Sequence, residues 1–351
     1  MQNRIPQLDG VRGVAILLVL FVNTSEKYPA LHLQRVFADG WMGVDLFFVL
    51  SGFLITRILL GSKASGHYFR NFYVRRALRI LPLYYAVLLF LFVLVPWLRP
   101  SEAQVIFARS SPWWSYPLFL QNFLVAIPTQ APGPLGASWS LAIEEQFYLL
   151  WPLVVLSCSI PQLRRIALTM IIIAAPLAFY LGSHHVLIYS NVFCRQVGLM
   201  AGALLALLLA SRASEPARYV KLAWLSLVVT LTLAILSEAY GARWLAFTAV
   251  ALAAASFIFL ALYSAQRWLQ AVLRNRFLMY TGTISYGLYL LHKIVDDLAQ
   301  SLHLDRHPAL LLPVVFAGSY AAATVSWNLL EKPFLRLSKS YAAGPSVRPA
   351  R

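Results

Sequence analysis

Long apolar stretches separated by short polar segments run along almost the whole chain. A helix that crosses a bilayer needs about 20 mostly apolar residues, and ten stretches approach that length. Their approximate bounds are 10–25, 41–60, 77–97, 138–158, 166–183, 189–210, 222–238, 244–264, 278–295 and 308–330. The pattern predicts an all-α, polytopic membrane protein with about ten transmembrane helices.

The composition of the 351-residue chain agrees with this assignment. Hydrophobic residues make up 60% of the chain and charged residues 12%, whereas a soluble domain has roughly 25% charged residues. The mean hydropathy is +0.68. A soluble fold of this size cannot bury so much apolar surface, so the lipid bilayer is the expected surrounding. The apolar run at 14–22 lacks a small-x-small cleavage site after it, which favours an uncleaved first helix over a signal peptide.

In a membrane protein, the net charge of +16 indicates which segments face the cytoplasm, and no nucleic-acid partner is expected. An even number of helices places both termini on one side of the membrane. With the termini in the cytoplasm, 21 of the 29 Lys and Arg residues belong to that side, as the excess of these residues in cytoplasmic segments requires. We therefore predict cytoplasmic termini and a short, basic cytoplasmic connection at 61–76.

A single membrane domain is predicted at 1–338, followed by a flexible cytoplasmic tail at 339–351. The two cysteines, Cys158 and Cys194, lie in or beside apolar runs without the spacing of metal ligands. No cluster of His, Cys and Asp indicates a metal site, so none is predicted.

Several ionisable side chains fall inside the predicted spans, where such groups are costly and are candidates for function. Glu144 and Glu145 lie one to two turns from the outer end of the fourth segment. Adjacent helical residues differ by about 100° in direction, so one of the two is expected to face a given cavity. The alternative is a structural acid paired with Arg195. For Asp45, a functional role and a helix–helix contact both stay open.

Six motifs follow one another along the chain. They are residues 8–13 (LDGVRG), 43–56 (GVDLFFVLSGFLIT), 72–82 (FYVRRALRILP), 138–148 (SWSLAIEEQFY), 284–292 (ISYGLYLLH) and 331–334 (EKPF). In this order they closely resemble the membrane acyltransferase-3 family, typified by O-antigen acetylases. The resemblance extends from about residue 4 to residue 337, and the ordered set is far more specific than any one motif.

The resemblance implies a multi-pass enzyme of the bacterial cytoplasmic (inner) membrane. Such an enzyme moves an acetyl or other short acyl group from acyl-CoA to a hydroxyl of a carbohydrate or glycosylated acceptor, with acyl-CoA as co-substrate and no tightly bound cofactor. Arg side chains suit CoA phosphates because guanidinium donates two parallel hydrogen bonds. The assigned residues are Arg12, Asn23, Glu144, Glu145 and His292 for catalysis, Arg75, Arg76 and Arg79 for acyl-CoA, and Trp139, Asp45 and Arg195 for substrate binding.

The first motif of the family pairs an Arg with a His after ten intervening residues, and this His is the implied catalytic base. Arg12 matches the Arg, but Asn23 occupies the His position. An amide has no basic nitrogen, so Asn23 cannot accept a proton. Three explanations stay open: a deliberate inactivating substitution, a naturally inactive member, or a base elsewhere, for which His292 is the next candidate.

Two functions without chemistry also stay open. Buried acids and arginines would suit a carrier of glycans or lipids. However, the sequence does not show the two similar halves that are common in secondary transporters. A catalytically silent CoA-binding membrane protein rests on Asn23 alone. The acceptor, the acyl length and the oligomeric state are not specified by the sequence.

Overall fold

A computed structural model describes the greater part of the chain: residues 5–25, 38–101, 104, 107, 110–124, 133–210, 216–302, 304 and 308–342. Every regular element in these ranges is helical. The main helices are α1 (Pro6–Ser25), α2 (Met42–Ser62), α3 (Tyr68–Leu89), α4 (Trp139–Ser157), α5 (Ile160–Ser183), α6 (Val192–Ala210), α7 (Val220–Ala239), α8 (Arg243–Tyr263), α9 (Arg267–Leu273), α10 (Arg276–Thr283), α11 (Ser285–Ser301), α12 (Pro308–Ser326) and α13 (Lys332–Ser338).

Wider turns and short helical segments extend some of these helices. α3 continues through a π-helical turn at Phe90–Leu94 into Val95–Leu98. A second π-helical turn at Trp327–Glu331 joins α12 to α13. The predicted tail begins with a helical turn at Lys339–Ala342, and its remainder, 343–351, lies outside the described residues.

The prediction of an all-α, polytopic membrane protein is confirmed. The described part of the chain contains eight helical spans long and apolar enough to cross a bilayer, with hydropathies between 1.4 and 2.4. The two remaining predicted segments are also helical. α4 carries the two adjacent glutamates in its second turn, and α11 has 17 residues, fewer than the roughly 20 that a full span needs.

The predicted connection at 61–76 is wrong in its extent. α2 ends at Ser62 and α3 begins at Tyr68, so Arg75 and Arg76, which were predicted to lie in the connection, are on a helix. The hydropathy pattern stopped at these charges because it treats every Arg as water-facing. Arg76 and Arg79 instead line a cavity inside the bundle.

The predicted segment 278–295 is two helices instead of one. α10 ends at Thr283, and α11 starts at Ser285 and continues to Ser301. The bounds 278–295 predict that His292 lies at the end of a helix, and this is wrong, because His292 lies in the middle of α11. The break coincides with tight packing, because Gly282 lies directly against the backbone of Asp9 in α1.

Glycines also allow α2 and α6, and α1 and α9, to approach at backbone distance. A Cβ at Gly52 would overlap the carbonyl of Leu199, and one at Gly202 would overlap that of Val49, so α2 and α6 cross in direct contact. Small residues have this function in membrane helices, where van der Waals packing drives association. In α1, Gly10 packs in the same way against the backbone of Leu273 at the end of α9.

Replacing Gly52 by Ala is expected to lower the free energy of unfolding by about 1–3 kcal/mol, because the added methyl group overfills the contact between α2 and α6. The matched control is Gly61→Ala on the same helix, since a Cβ at Gly61 meets no atom within 4 Å. Alanine favours a helix over glycine by about 1 kcal/mol, so the control should be neutral or stabilising. Thermal unfolding in detergent, followed by Trp fluorescence, measures both; equal melting temperatures would contradict the tight crossing.

Candidate functional site

A cavity of about 100 Å³, here called the central cavity, lies among α1, α2, α3, α4 and α11. Three of its lining side chains are cationic and one is a carboxylate. The polar and charged residues lining it are Arg12, Ser51, Arg76, Arg79, Ser140, Glu144, Tyr148, Ser285, Tyr286 and Tyr289. The structure thus brings together four of the predicted site residues, Arg12, Arg76, Arg79 and Glu144, from three separate motifs.

The three arginines lie close enough to repel one another. Arg12 pairs with Asp9, three residues earlier on α1, at 3.0 Å. Arg76 lies over the ring of Tyr148 at 5.6 Å and near that of Phe72. Neither Arg76 nor Arg79 has a hydrogen bond or ion pair to another of the residues that the structure describes. The central cavity is therefore electropositive, because the carboxylates around it do not neutralise all of its arginines.

Glu144 is the carboxylate that faces the central cavity. Its Oε1 accepts a hydrogen bond from Ser51 at 2.7 Å, and its Oε2 accepts one from Tyr148 at 3.1 Å. Tyr148 follows Glu144 by four residues, which places both on one face of α4. Two donors on opposite oxygens fix the orientation of the carboxylate toward the arginines.

Glu145 points in a different direction, as expected for the next residue of a helix. It does not line the central cavity, and its buried Oε1 has no hydrogen-bond partner among the described residues. It remains within electrostatic range of Arg76 and Glu144. Of the two predicted glutamates, the geometry therefore brings Glu144, and not Glu145, to the cavity.

Asp45 and Arg195 form an ion pair at 2.8 Å in which both side chains are 0% exposed. Five aromatic rings surround the guanidinium group at 4.3–5.7 Å, those of Trp41, Phe48, Trp139, Tyr189 and Phe247. The predicted alternative of an Arg195–glutamate pair is wrong, because Asp45 occupies that position. The pair is sealed away from the central cavity and joins α2 to α6.

Trp139 is a neighbour of this pair and does not line the cavity. Its ring packs against Tyr189 at 5.1 Å and Phe48 at 6.1 Å at the start of α4. The next residue, Ser140, does line the cavity and is hydrogen-bonded to the hydroxyl of Tyr289. The buried tryptophan thus fixes the first turn of α4, from which Ser140 and Glu144 extend.

Asn23 lies on the same face of α1 as Arg12 but far from it. Eleven residues correspond to about 1100°, or 20° beyond three full turns, and to a rise of about 16 Å. The half-buried Asn23 side chain donates a hydrogen bond to the carbonyl of Val19 at 2.8 Å. It does not line the central cavity, and no hydrogen bond among the described residues links it to Glu144 or His292.

His292 is buried one turn beyond Tyr289 on α11. Its Nδ1 lies 3.1 Å from the carbonyl of Leu288 and 2.8 Å from that of Tyr289. Because both neighbours are acceptors, Nδ1 carries a hydrogen and the neutral ring keeps its lone pair on Nε2. Nε2 is buried and has no hydrogen-bond partner among the described residues, so its capacity to accept a hydrogen bond is unused there.

Several residues at the site were missed as individual candidates, although they lie within the quoted motifs. Ser51 and Tyr148 hold Glu144, and the hydroxyl of Tyr286 donates to the carbonyl of Ile80 on α3 at 2.8 Å. Glu331 is buried, accepts from Ser326 at 3.0 Å and is within electrostatic range of Arg79. The spacing of Tyr148 four residues after Glu144 was the one signal in the sequence that could have identified a partner.

Arg75 lines a different space, here called the lower cavity. This cavity of about 200 Å³ lies between the end of α2, the first turns of α3 and Tyr341, and Arg76 lines both cavities. The three arginines assigned to acyl-CoA therefore divide between two adjoining spaces, with Arg76 at the junction.

Comparison with known sequences identifies the family. A family model described as an acyltransferase domain matches residues 5–330. The chain belongs to the acyltransferase-3 family. The match covers the first five motifs and ends one residue before the sixth, 331–334, so the resemblance of the motifs and the family match agree over nearly the whole chain.

Curated relatives of this acyltransferase-3 protein are named as O-acetyltransferases. The peptidoglycan O-acetyltransferase OatA of Listeria monocytogenes is 35% identical over 158 residues, which cover 42% of this chain and 24% of that protein. YrhL of Bacillus subtilis, provisionally named a peptidoglycan O-acetyltransferase, is 39% identical over 164 residues, 42% of this chain and 23% of the relative.

A longer match is found with the Staphylococcus aureus protein SACOL0978, provisionally named an O-acetyltransferase. The two are 26% identical over 364 aligned positions, which cover 94% of this chain and 57% of the relative. The chain thus spans about a quarter to somewhat over half of the length of these relatives. No solved structure matches the chain.

Replacing Asp45 by Asn should destabilise the protein by about 3–5 kcal/mol, because Arg195 would keep a buried charge without a counter-charge. The control is Glu238→Gln, which removes the partner of Arg243 in a pair where the arginine is 56% exposed. An exposed pair contributes about 0.2–1 kcal/mol. Unfolding in detergent measures the difference, and losses of similar size in the two variants would contradict a stabilising role for the buried pair.

Proposed function

We propose that this acyltransferase-3 protein transfers a short acyl group from acyl-CoA to a hydroxyl of a cell-surface carbohydrate. Membership of the family and the O-acetyltransferase names of its relatives support acyl transfer to oxygen. The names of the Listeria and Bacillus relatives favour a peptidoglycan-like acceptor. The bacterial origin of these relatives and the apolar helices favour the cytoplasmic membrane of a bacterium as its location.

The observation that carries this proposal is the charge of the central cavity. Arg12, Arg76 and Arg79 face a single cavity-lining carboxylate, Glu144, inside a bundle of apolar helices. Arg12 has Asp9 as a partner, but Arg76 and Arg79 have no ion pair among the described residues. Cations in such surroundings are costly without anionic partners, and an anionic ligand would supply them. CoA carries a diphosphate and a 3′-phosphate, for which guanidinium groups are suited donors.

The transfer itself requires a proton acceptor and a donor to the oxyanion. The acceptor hydroxyl oxygen forms a bond to the thioester carbonyl carbon, its proton passes to a base, and the C–S bond breaks to release CoA. Arg12 and Ser140 line the cavity and are candidate donors to the developing oxyanion. Glu144, held by Ser51 and Tyr148, is the carboxylate available to orient a base or an acceptor hydroxyl.

The two ends of α1 suit an acyl-CoA donor and a hydroxyl acceptor that approach from opposite sides of the membrane. Arg12 reaches the central cavity near the end predicted to be cytoplasmic, where CoA is found, and position 23 lies about 16 Å further along the same face. A base at position 23 would meet an acceptor that approaches from outside. The thioester would be presented between these positions, with its nucleotide toward the cytoplasm.

A second candidate function follows from Asn23. Because an amide accepts no proton, a chain with the binding residues intact and Asn23 in place of His fits a silent acyl-CoA-binding protein. His292, whose Nε2 lacks a partner among the described residues, is the alternative base of an active enzyme.

Asn23→His is expected to raise acyl transfer by at least tenfold, and by about 10²–10⁴-fold if the imidazole supplies the full contribution of a general base. Affinity for CoA should change little, because the substitution leaves the cavity arginines in place. Turnover of acetyl-CoA by purified protein with a soluble glycan acceptor, and CoA binding in parallel, are the measurements.

The matched control is Asn23→Gln, which keeps an amide and should stay as inactive as the original chain. If the Asn23 form already transfers acyl groups at a rate that the His variant does not exceed, the base lies elsewhere. His292→Ala is then expected to abolish that activity. If no form turns over acetyl-CoA while all bind CoA, the silent binding protein is the correct function.

A further inference from the structure

The lower cavity has the composition of a nucleotide site. It lies at the end of the bundle where α2 ends and α3 begins, and Ser62, Ser65, Asn71, Arg75 and Arg76 supply its polar side chains. Cationic, amide and hydroxyl groups together match the phosphates and polar edges of a nucleotide.

Tyr341 closes one wall of the lower cavity and provides an aromatic surface. It belongs to the helical turn Lys339–Ala342 after α13, which packs against α3. The guanidinium of Arg70 lies 5.6 Å from the centre of the Tyr341 ring and holds it in a cation–π contact. Aromatic side chains in this position are stacking surfaces for nucleobases.

Arg76 connects the lower cavity to the central cavity, because its side chain lines both. A ligand that fills both spaces must pass this side chain. The lower cavity, at about 200 Å³, is the larger, and the central cavity, at about 100 Å³, is the narrower. This order suits a molecule with a bulky anionic end and a thin reactive arm.

We propose that Tyr341 stacks the adenine base of acyl-CoA in the lower cavity. The phosphates would then lie near Arg75 and Arg76, two of the arginines that the family resemblance assigns to acyl-CoA. This inference rests on the proposed acyl-CoA donor and adds its recognition site. The pantetheine arm then extends past Arg76 into the central cavity and brings the thioester to Arg12 and Glu144. The C-terminal turn is consequently part of the donor site.

The test measures the dissociation constant of CoA for the full chain in detergent. Tyr341→Ala should weaken binding roughly 5- to 100-fold, the range that one base–aromatic stacking contact contributes, whereas Tyr341→Phe should retain affinity. The control is Tyr240→Ala, because Tyr240 is 84% exposed in the turn between α7 and α8, distant in sequence from the lower cavity.

A fragment experiment separates this inference from the donor proposal. Adenosine 3′,5′-bisphosphate should compete with CoA and lose affinity in Tyr341→Ala, while phosphopantetheine should bind both forms equally. If CoA binds the unmodified chain but Tyr341→Ala has no effect and the bisphosphate does not compete, the nucleotide site is wrong and the donor stands. If CoA does not bind the unmodified chain, the donor proposal fails as well.

A second, independent observation concerns α7, the least buried of the long helices. A cavity of about 470 Å³, here called the lateral cavity, lies among α5, α6, α7 and α8. Its lining is apolar except for Tyr219 and the pair Ser226 and Ser256, whose hydroxyls are hydrogen-bonded to each other at 2.9 Å. An apolar space of this size at the side of a membrane bundle fits a hydrocarbon chain.

Cationic residues lie at one end of the lateral cavity. The lining reaches Pro216, Tyr219 and Leu222 at the start of α7, beside the exposed Arg218 and Lys221. Arg164 of α5 reaches the same end, because its Nη2 donates to the carbonyl of Leu207 at 2.9 Å. Its buried Nε has no partner among the described residues.

We infer that the lateral cavity holds one acyl chain of an anionic phospholipid whose phosphate lies near Arg164, Arg218 and Lys221. The apolar lining accommodates the chain, and the cations complement the headgroup. Each cation near an anionic lipid contributes roughly 1 kcal/mol, so the site should prefer anionic over zwitterionic lipids.

Native mass spectrometry of delipidated protein, titrated with phosphatidylglycerol or phosphatidylcholine, tests this site. The unmodified chain should retain phosphatidylglycerol preferentially, and the double variant R218Q/K221Q should bind it roughly 30-fold more weakly, as the loss of two such cations implies. Arg243→Gln, at the opposite end of the α7–α8 pair, is the charge control. Equal retention of both lipids by the unmodified chain, or equal losses in the variant and its control, would overturn the inference.

Discussion

The ion pair between Asp45 and Arg195 is the interaction on which the arrangement of the bundle depends. Both side chains are completely buried, so their separation would leave a charge without compensation in a medium of low dielectric constant. The pair joins α2 and α6 where glycines already bring their backbones together. The aromatic shell extends this constraint to Trp139 at the start of α4. The walls that carry Ser51 and Glu144 are thereby fixed by residues that do not line the cavity.

The fold was largely predictable because long apolar runs in a sequence indicate membrane-spanning helices. The sequence signal failed where charged residues lie inside the bundle. At the start of α3, Arg75 and Arg76 were assigned to a connection, although the helix includes both. At Ile284 the apolar run continues across a break between α10 and α11, because the break depends on packing against α1 and not on hydropathy.

The candidate site was predictable as a set of residue types and motifs, but not as a geometry. The motifs identified Arg12, Arg76, Arg79 and Glu144, which the fold brings to one cavity. Sequence spacing could not distinguish Asp45 from Glu144 as the partner of Arg195, since that choice depends on which helices are neighbours. It also gave no reason to single out Glu331, which reaches the vicinity of Arg79 only through the π-helical turn after α12.

The placement of Arg12 and Asn23 on one uninterrupted helix limits how this protein can evolve. Inserting or deleting a single residue between them would turn one side chain by about 100° relative to the other and carry it off the shared face. Point substitutions, such as one that exchanges an amide for an imidazole, leave that alignment intact. Along this stretch of α1, change is therefore tolerated in the identity of residues but not in their number.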